Sequence, residues 1–230
     1  METIREEFNT RKREIDSYVS FLNILQENAH MKDEIKKAEN IDYISLSTML
    51  KANVILLLYN LMESTLTNCL CKTHENIMND GVKYSRLSEH VQKILLMYYV
   101  NKINVKGTLG NAVDDVHSFI GCVDDKKIFD VTYEELVKAY QLYSGNLDSK
   151  KLKGVLNKYG IQFDINCPSL KYIKDNRNIL AHGEKTFEEV GRDLSMQRIV
   201  ELKNKTIPYM EEIIKSFECY LQKKNYLNNE

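Results

Sequence analysis

One stretch of this sequence pairs residue types that can do chemistry at a spacing that lets them act together. It runs Pro168-Ser-Leu-Lys-Tyr-Ile-Lys-Asp-Asn-Arg177-Asn-Ile-Leu-Ala-His182-Gly183. At about 100° per residue in a helix, Leu170, Ile173, Arg177 and Leu180 fall on one side. Arg177 thus sits on a stripe that is otherwise apolar, where an unpaired charge would be costly. Lys171, Lys174, Asp175, Asn178 and His182 occupy the polar side. Ala181 lies between the two sides, and its small size leaves room for the guanidinium to swing toward the imidazole. The pair suits cleavage of an RNA phosphodiester. The 2′-hydroxyl is a built-in nucleophile, so an enzyme need only move protons and stabilise charge on phosphorus. Histidine moves protons near neutral pH, arginine offers phosphate oxygens a rigid cationic fork, and no metal or cofactor is required. Spacing alone leaves another reading open: a helix-end histidine and a core-edge arginine with no common role.

Glu63 is the natural partner for Arg177. It lies in a strongly apolar segment with Asn60 three residues before it, and a buried carboxylate wants a cation; the other reading is a Glu63 that faces solvent or bonds an unrelated lysine. Cys69-x-Cys71 with His74 invites a metal reading, but positions i and i+2 diverge on a helix and no second ligand pair follows with zinc spacing. His30, His74, His90 and His117 have no partner constellation and read as surface or packing residues. Lys150, Lys151, Lys153 and Lys158 make a basic helix face, more simply read as solvated than as an RNA track. No phosphate-binding or dinucleotide glycine fingerprint is present.

The elements that must position these residues read as helices. Only 9 Gly and 2 Pro punctuate 230 residues, which favours long helices. Residues 2–28 carry Ile4, Phe8, Ile15, Tyr18, Leu22 and Leu25 at helical spacing, residues 29–44 read as a polar connection, and 45–78 as a core helix. Asn79-Asp80-Gly81 marks a turn, and a third helix spans about 87–101. Residues 104–131 are less periodic. Thr132 and Glu135 form a capping box for a helix to about Tyr143. Asp148 caps a short helix ending at Gly160, the motif helix occupies 168–183, and a last helix runs from about 195 to 226 with Pro208 expected to kink or restart it. The expectation is one all-α domain over 1–230, with 104–165 a small helical elaboration between bundle halves.

Composition narrows the classes further. Apolar residues are 43% and charged residues 28%, and the formal net charge is −1, so nucleic-acid binding would have to rest on a local basic patch. The first residues are charged, unlike a secretory leader. The apolar run Val54–Met62 is interrupted by Asn60 and short for a bilayer. Five scattered cysteines suit free thiols in a reducing cytoplasm.

Arg177-Asn-Ile-Leu-Ala-His182 resembles the R-x4-6-H signature of the HEPN superfamily, with a polar residue after the arginine and a glycine after the histidine. Ser144-Gly-Asn-Leu-Asp148 with Lys151-Leu-Lys-Gly-Val-Leu-Asn-Lys-Tyr-Gly-Ile161, and Leu58-Tyr-Asn-Leu-Met-Glu63, resemble segments of MAE-type HEPN proteins. The resemblance spans most of 45–220. It implies a compact HEPN-type helical bundle and a metal-independent endoribonuclease acting as a homodimer, with Arg177 and His182 as the catalytic pair facing a shared cleft. It further implies that Asn178 orients the imidazole or the phosphate, that Glu63 and Asn60 support the motif, and that the product ends in a 2′,3′-cyclic phosphate. A toxin or defence role with a cognate antitoxin or other system partner would follow. Some HEPN toxins carry a tyrosine two residues after the histidine, modified by a partner nucleotidyltransferase; here that position is Glu184. Two other classes stand beside the nuclease: a non-catalytic HEPN module that binds RNA or a partner protein, and a purely scaffolding bundle.

Overall fold

The computed structural model describes residues 1–37, 42–105, 109–142 and 145–228, with the side chains of 104, 105 and 109–111 also left out. Ten α-helices and one 3-10 turn make up the described chain: α1 (Glu2–Glu27), α2 (Ala29–Lys37), α3 (Tyr43–Asn79), the 3-10 turn Tyr84–Arg86, α4 (Glu89–Val105), α5 (Leu109–Val123), α6 (Tyr133–Ala139), α7 (Ser149–Lys158), α8 (Pro168–Ala181), α9 (Phe187–Arg192) and α10 (Met196–Gln222). Extended pairing among the described residues is limited to two isolated bridges, Lys83 with Ile128 and Leu87 with Leu227.

The 37-residue helix α3 is the frame. Asp42 starts it by accepting from the Ile44 and Ser45 amides, which satisfies two of the orphan donors of a helix N-terminus. By length and apolar composition this helix would suffice to cross a bilayer, a longer apolar span than Val54–Met62 suggests. Here its side chains are spent on packing: α1, α8, α9 and α10 all lie against it. Val54, Ile55, Leu58, Leu61, Met62, Leu66, Cys69 and Leu70 are each fully buried. Burying one such aliphatic side chain contributes roughly 1.5–3 kcal/mol, so α3 supplies much of the driving force.

Helices α1 and α10 run antiparallel across it. Their register is marked by three ion pairs, Arg5 with Glu218, Lys12 with Glu211 (2.9 Å) and Asp16 with Lys203 (2.7 Å), in which the numbers rise on one helix as they fall on the other. Pairs this exposed add little energy each and serve mainly to fix the register. Pro208 neither stops nor restarts α10, which continues from Met196 to Gln222. Both Pro208 and Asn204, whose carbonyl loses its i+4 donor, are exposed, so the freed oxygen turns to water.

The structure corrects two further expectations. Residues 29–37 form a helix with no buried side chain, entered through the Asn28 side chain bonded to the Met31 amide. Residues 109–123, in the stretch read as less periodic, form helix α5, in keeping with helical structure there; Gly107 lies outside the described residues. Helix α6 has the Thr132–Glu135 capping box but ends at Ala139, with Tyr140 already extended; Tyr143 is outside the described residues. Helix α7 ends as the sequence implies: Gly160 has φ +76°, and Ile161 and Gly160 donate back to the Leu156 and Asn157 carbonyls, a Schellman closure.

Two positions yield tests of this packing. Gly191 on α9 lies so close to α3 that an added Cβ would fall 1.7 Å from the Thr48 carbonyl oxygen. That neighbour is backbone and cannot swing away. Gly191→Ala should therefore cost about 3 kcal/mol, the upper end of overpacking penalties. In a chain of this size it should lower Tm by roughly 6–12 °C; a melt within 1–2 °C of wild type would refute the close α3–α9 approach. His74 is buried, with Nδ1 donating to the Val131 carbonyl (2.8 Å) and Nε2 accepting from the Tyr159 hydroxyl (2.8 Å). Burial holds its pKa below the usual histidine value. Below about pH 6.5 the unfolded chain takes up a proton that the folded chain refuses, so stability falls as pH drops, by at most about 1.4 kcal/mol per pH unit. Urea unfolding between pH 7.5 and 5 should show this loss in wild type and a flatter curve for His74→Asn.

Candidate functional site

Helix α8 begins with Pro168 at its first turn, where no amide donor is needed. Leu170, Ile173 and Leu180 are buried and seat it on the bundle. Its end is fixed by Gly183, at φ +69°: Glu184 donates to the Ile179 carbonyl (3.0 Å) and Gly183 to the Leu180 carbonyl (3.3 Å). This is again a Schellman closure. It places His182 at the C-cap, where its side chain is exposed and makes no hydrogen bond among the described residues.

Arg177 emerges between Ile173 and Leu180 at the rim of the core, its side chain 27% exposed. Its guanidinium carbon lies 4.0 Å from the centroid of the Tyr59 ring, a cation–π stack worth about 0.5–2 kcal/mol. Nη2 meets Glu63 Oε2 at 3.5 Å, and Nη1 donates to Asn178 Oδ1 at 3.0 Å. Tyr59 and Glu63 are four apart on α3 and so share a face. The Tyr59 hydroxyl donates to Glu63 Oε1 (2.6 Å), receives the Leu147 amide (3.2 Å) and also contacts the Gly145 carbonyl. Burial, and then the Glu63 carboxylate, push its pKa above the ordinary phenol range.

The segment 145–148 closes the third side. Asp148 caps α7 through the Lys151 amide and holds Lys174 Nζ on α8 at 2.9 Å. Lys174 also reaches Asp175 at 3.1 Å. These partners keep the Asp148 carboxyl below its usual pKa despite burial, and raise that of Lys174. Two cations one turn apart, Lys174 and Arg177, thus face the seam between α3, α8 and this loop.

The expected Glu63–Arg177 pair is therefore formed, but it is partly open to solvent, at 29% and 27% exposure. The structure does not join Arg177 to His182 within one chain. The two are five residues apart, about 140° around the helix, and the guanidinium is drawn to Tyr59 and Glu63 instead. Asn178 bonds the guanidinium rather than the imidazole. Asn60 is exposed and makes no hydrogen bond among the described residues. Tyr59, Gly145, Asp148 and Lys174 belong to the site although their sequence positions alone do not single them out for it. The i,i+4 spacing of Tyr59 and Glu63 is the available signal. Ser144 is outside the described residues. The Cys69-x-Cys71 pair diverges, Cys69 into the core and Cys71 toward Glu134 (3.4 Å), while both His74 nitrogens are taken by protein groups.

An arginine has five N–H donors. One goes to Glu63 and one to Asn178, which leaves three for an incoming anion. The face of the guanidinium is held and part of its edge is taken by Glu63 and Asn178, so phosphate oxygens would be met by the remaining N–H donors. Glu63→Ala should cost about 1–2 kcal/mol, between exposed and buried pair values, and lower Tm by roughly 2–8 °C. An unchanged Tm would place Glu63 away from Arg177.

Residues 1–226 match a family model described as HEPN_MAE_28990-like HEPN. No curated protein and no solved structure matches the chain.

Proposed function

The chain belongs to the MAE-type HEPN family, whose helical fold is generally that of a ribonuclease, and we propose on that premise that it is a metal-independent endoribonuclease. The observation that carries the reading is Arg177, clamped through its face and two donors while three donors stay free. In the proposed reaction the 2′-oxygen attacks phosphorus as its proton passes to a base. The bond from phosphorus to the 5′-oxygen breaks as an acid protonates the leaving oxygen, and the products are a 2′,3′-cyclic phosphate and a 5′-hydroxyl. His182 is the residue for proton transfer, Arg177 stabilises the charge gathering on phosphorus, and Asn178 holds the guanidinium fork. Neither step needs a metal, because the charge is met by Arg177 and the protons by an imidazole.

One reaction needs both an acid and a base, while each chain offers a single exposed His182 that its own Arg177 does not contact. A two-fold homodimer that brings two motifs to one cleft answers both points. Free thiols at all five cysteines suit action in the cytoplasm. Uncontrolled RNA cleavage limits growth, so the biological role we favour is a toxin or defence effector held in check by a partner protein.

RNA should be cut in excess EDTA to 2′,3′-cyclic phosphate ends, while DNA and RNA with 2′-O-methyl at the cut site resist. His182→Ala should lose about 10²–10⁴-fold in rate. Arg177→Ala should lose a similar amount, and Arg177→Lys should recover little, since an ammonium cannot copy the fork. Equal cleavage by wild type and His182→Ala would overturn the catalytic assignment. So would no cleavage by a folded dimer over many substrates, and the chain would then stand as an RNA- or protein-binding module. Light scattering that shows a fully active monomer at micromolar concentration would remove the dimer.

A further inference from the structure

We propose that Tyr59 is a positioning residue for Arg177, and that the 145–147 backbone locks it in that role; this rests on the nuclease reading above. Its ring is the platform on which the guanidinium lies, at 4.0 Å. The platform is rigid for a specific reason. Tyr59 is 1% exposed, so its ring is packed, and its hydroxyl is gripped from the loop by the Gly145 carbonyl and the Leu147 amide as well as by Glu63. Swinging the side chain away from Arg177 would break all of these contacts together, and burial holds the plane of the ring.

The loop is itself tied down on the opposite wall. Asp148, directly after Leu147, bonds Lys174 three residues before Arg177 on the same helix. The 145–148 segment therefore spans the seam, touching α3 through Tyr59 and α8 through Lys174. Gly145 adopts φ +70°, and a Cβ there would meet nothing closer than Glu63 Oε1 at 3.9 Å. Its replacement by alanine would strain the loop backbone without filling the seam.

The physical consequence is that the guanidinium direction is set before RNA arrives. A side chain with several rotatable bonds would otherwise lose rotamer freedom on binding. Pre-orientation toward the charge of the transition state should appear in kcat more than in KM.

The test compares Tyr59→Phe, Tyr59→Leu and Gly145→Ala with wild type. Melting curves establish folding, and steady-state kinetics are read on one RNA. Phe keeps the platform and loses the lock, so kcat should fall by about 3–10-fold with KM little changed; Gly145→Ala should match it. Leu removes the platform, and kcat should fall by about 10²–10³-fold, the scale of losing one transition-state donor. A folded Tyr59→Leu with wild-type kcat, or equal losses in Phe and Leu, would overturn the platform. A Gly145→Ala protein with unchanged kcat would overturn the lock. If Tyr59→Leu does not fold, the wild-type protein still decides. The Arg177 Hδ protons, identified by comparison with Arg177→Lys, should be shifted upfield by the ring current of Tyr59 and should move back when Gly145 is replaced. Unshifted protons would end the proposal. That spectrum needs no RNA, so a chain that cuts nothing but shows the shift would sink the nuclease reading and keep the Tyr59–Arg177 geometry.

Discussion

A permanent positive charge set between two buried aliphatic side chains has to be satisfied, and much of the local architecture around α8 follows from that requirement. Ile173 is fully buried and Leu180 nearly so, and Arg177 lies between them on the same stripe. Its charge cannot be shed, because guanidinium stays protonated. The neighbouring helix answers with an aromatic face and a carboxylate one turn apart, Tyr59 and Glu63. The carboxylate then needs its own second partner, which the Tyr59 hydroxyl supplies, and the hydroxyl in turn recruits the backbone of 145–147. Each group in the chain is satisfied by the next. This is why a loop distant in sequence from the motif ends up beside it.

That chain of contacts works because α3, at 37 residues, is long enough to serve several partners at once. Near its start it takes α9 in backbone contact at Thr48. At its centre Tyr59 and Glu63 face α8. Further along, His74 turns inward to the Val131 carbonyl and Tyr159. The described residues between α4 and α8 meet this one helix at several points, the 145–147 loop at Tyr59, Glu134 of α6 at Cys71, and Val131 and Tyr159 at His74. The motif is held in place by a frame whose other roles are purely structural.

How far the sequence discloses this depends on whether apolar periodicity coincides with burial. In α1, α3, α8 and α10 it does, and these helices read correctly. In α5 it does not. Val113, Val116, Ile120 and Val123 share one face at helical spacing yet are exposed, while Asp115 is buried against Lys102, so the apolar stripe marks a helix but points away from the core. Helix α2 buries nothing, so no hydrophobic stripe announces it, and only its helix-favouring Ala, Met, Lys and Glu residues do. Helix α9 is six residues long, and its Thr186–Glu189 capping box is its legible mark. At the site, the Glu63–Arg177 pair could be inferred because both residues are anomalies in apolar surroundings. Tyr59 could not, because a tyrosine in an apolar helix looks like core until its neighbour is known. The Arg177–His182 convergence failed for a geometric reason: five residues along a helix are about 140° apart, and a nearer carboxylate outcompetes a distant imidazole.

That failure bears on how the proposed chemistry would discriminate. In its resting pose the guanidinium already has an anionic partner, so a phosphodiester carrying one negative charge must compete with Glu63 for it. At 3.5 Å and about one quarter exposed, the Glu63 contact is long and wet enough to yield. A phosphorus that gathers additional negative charge as the 2′-oxygen adds competes better than the ground state does. The Glu63 carboxylate, an anion itself, repels that larger charge more than it repels the substrate, so any acceleration comes from Arg177, which gains more from the transition state than from the ground state. Asn178 and Tyr59 are neutral and hold the fork by its edge and its face, so neither opposes the developing charge. Arg177 is thus oriented largely through neutral contacts, and in the proposed reaction its remaining N–H donors meet the charge that accumulates on the phosphate.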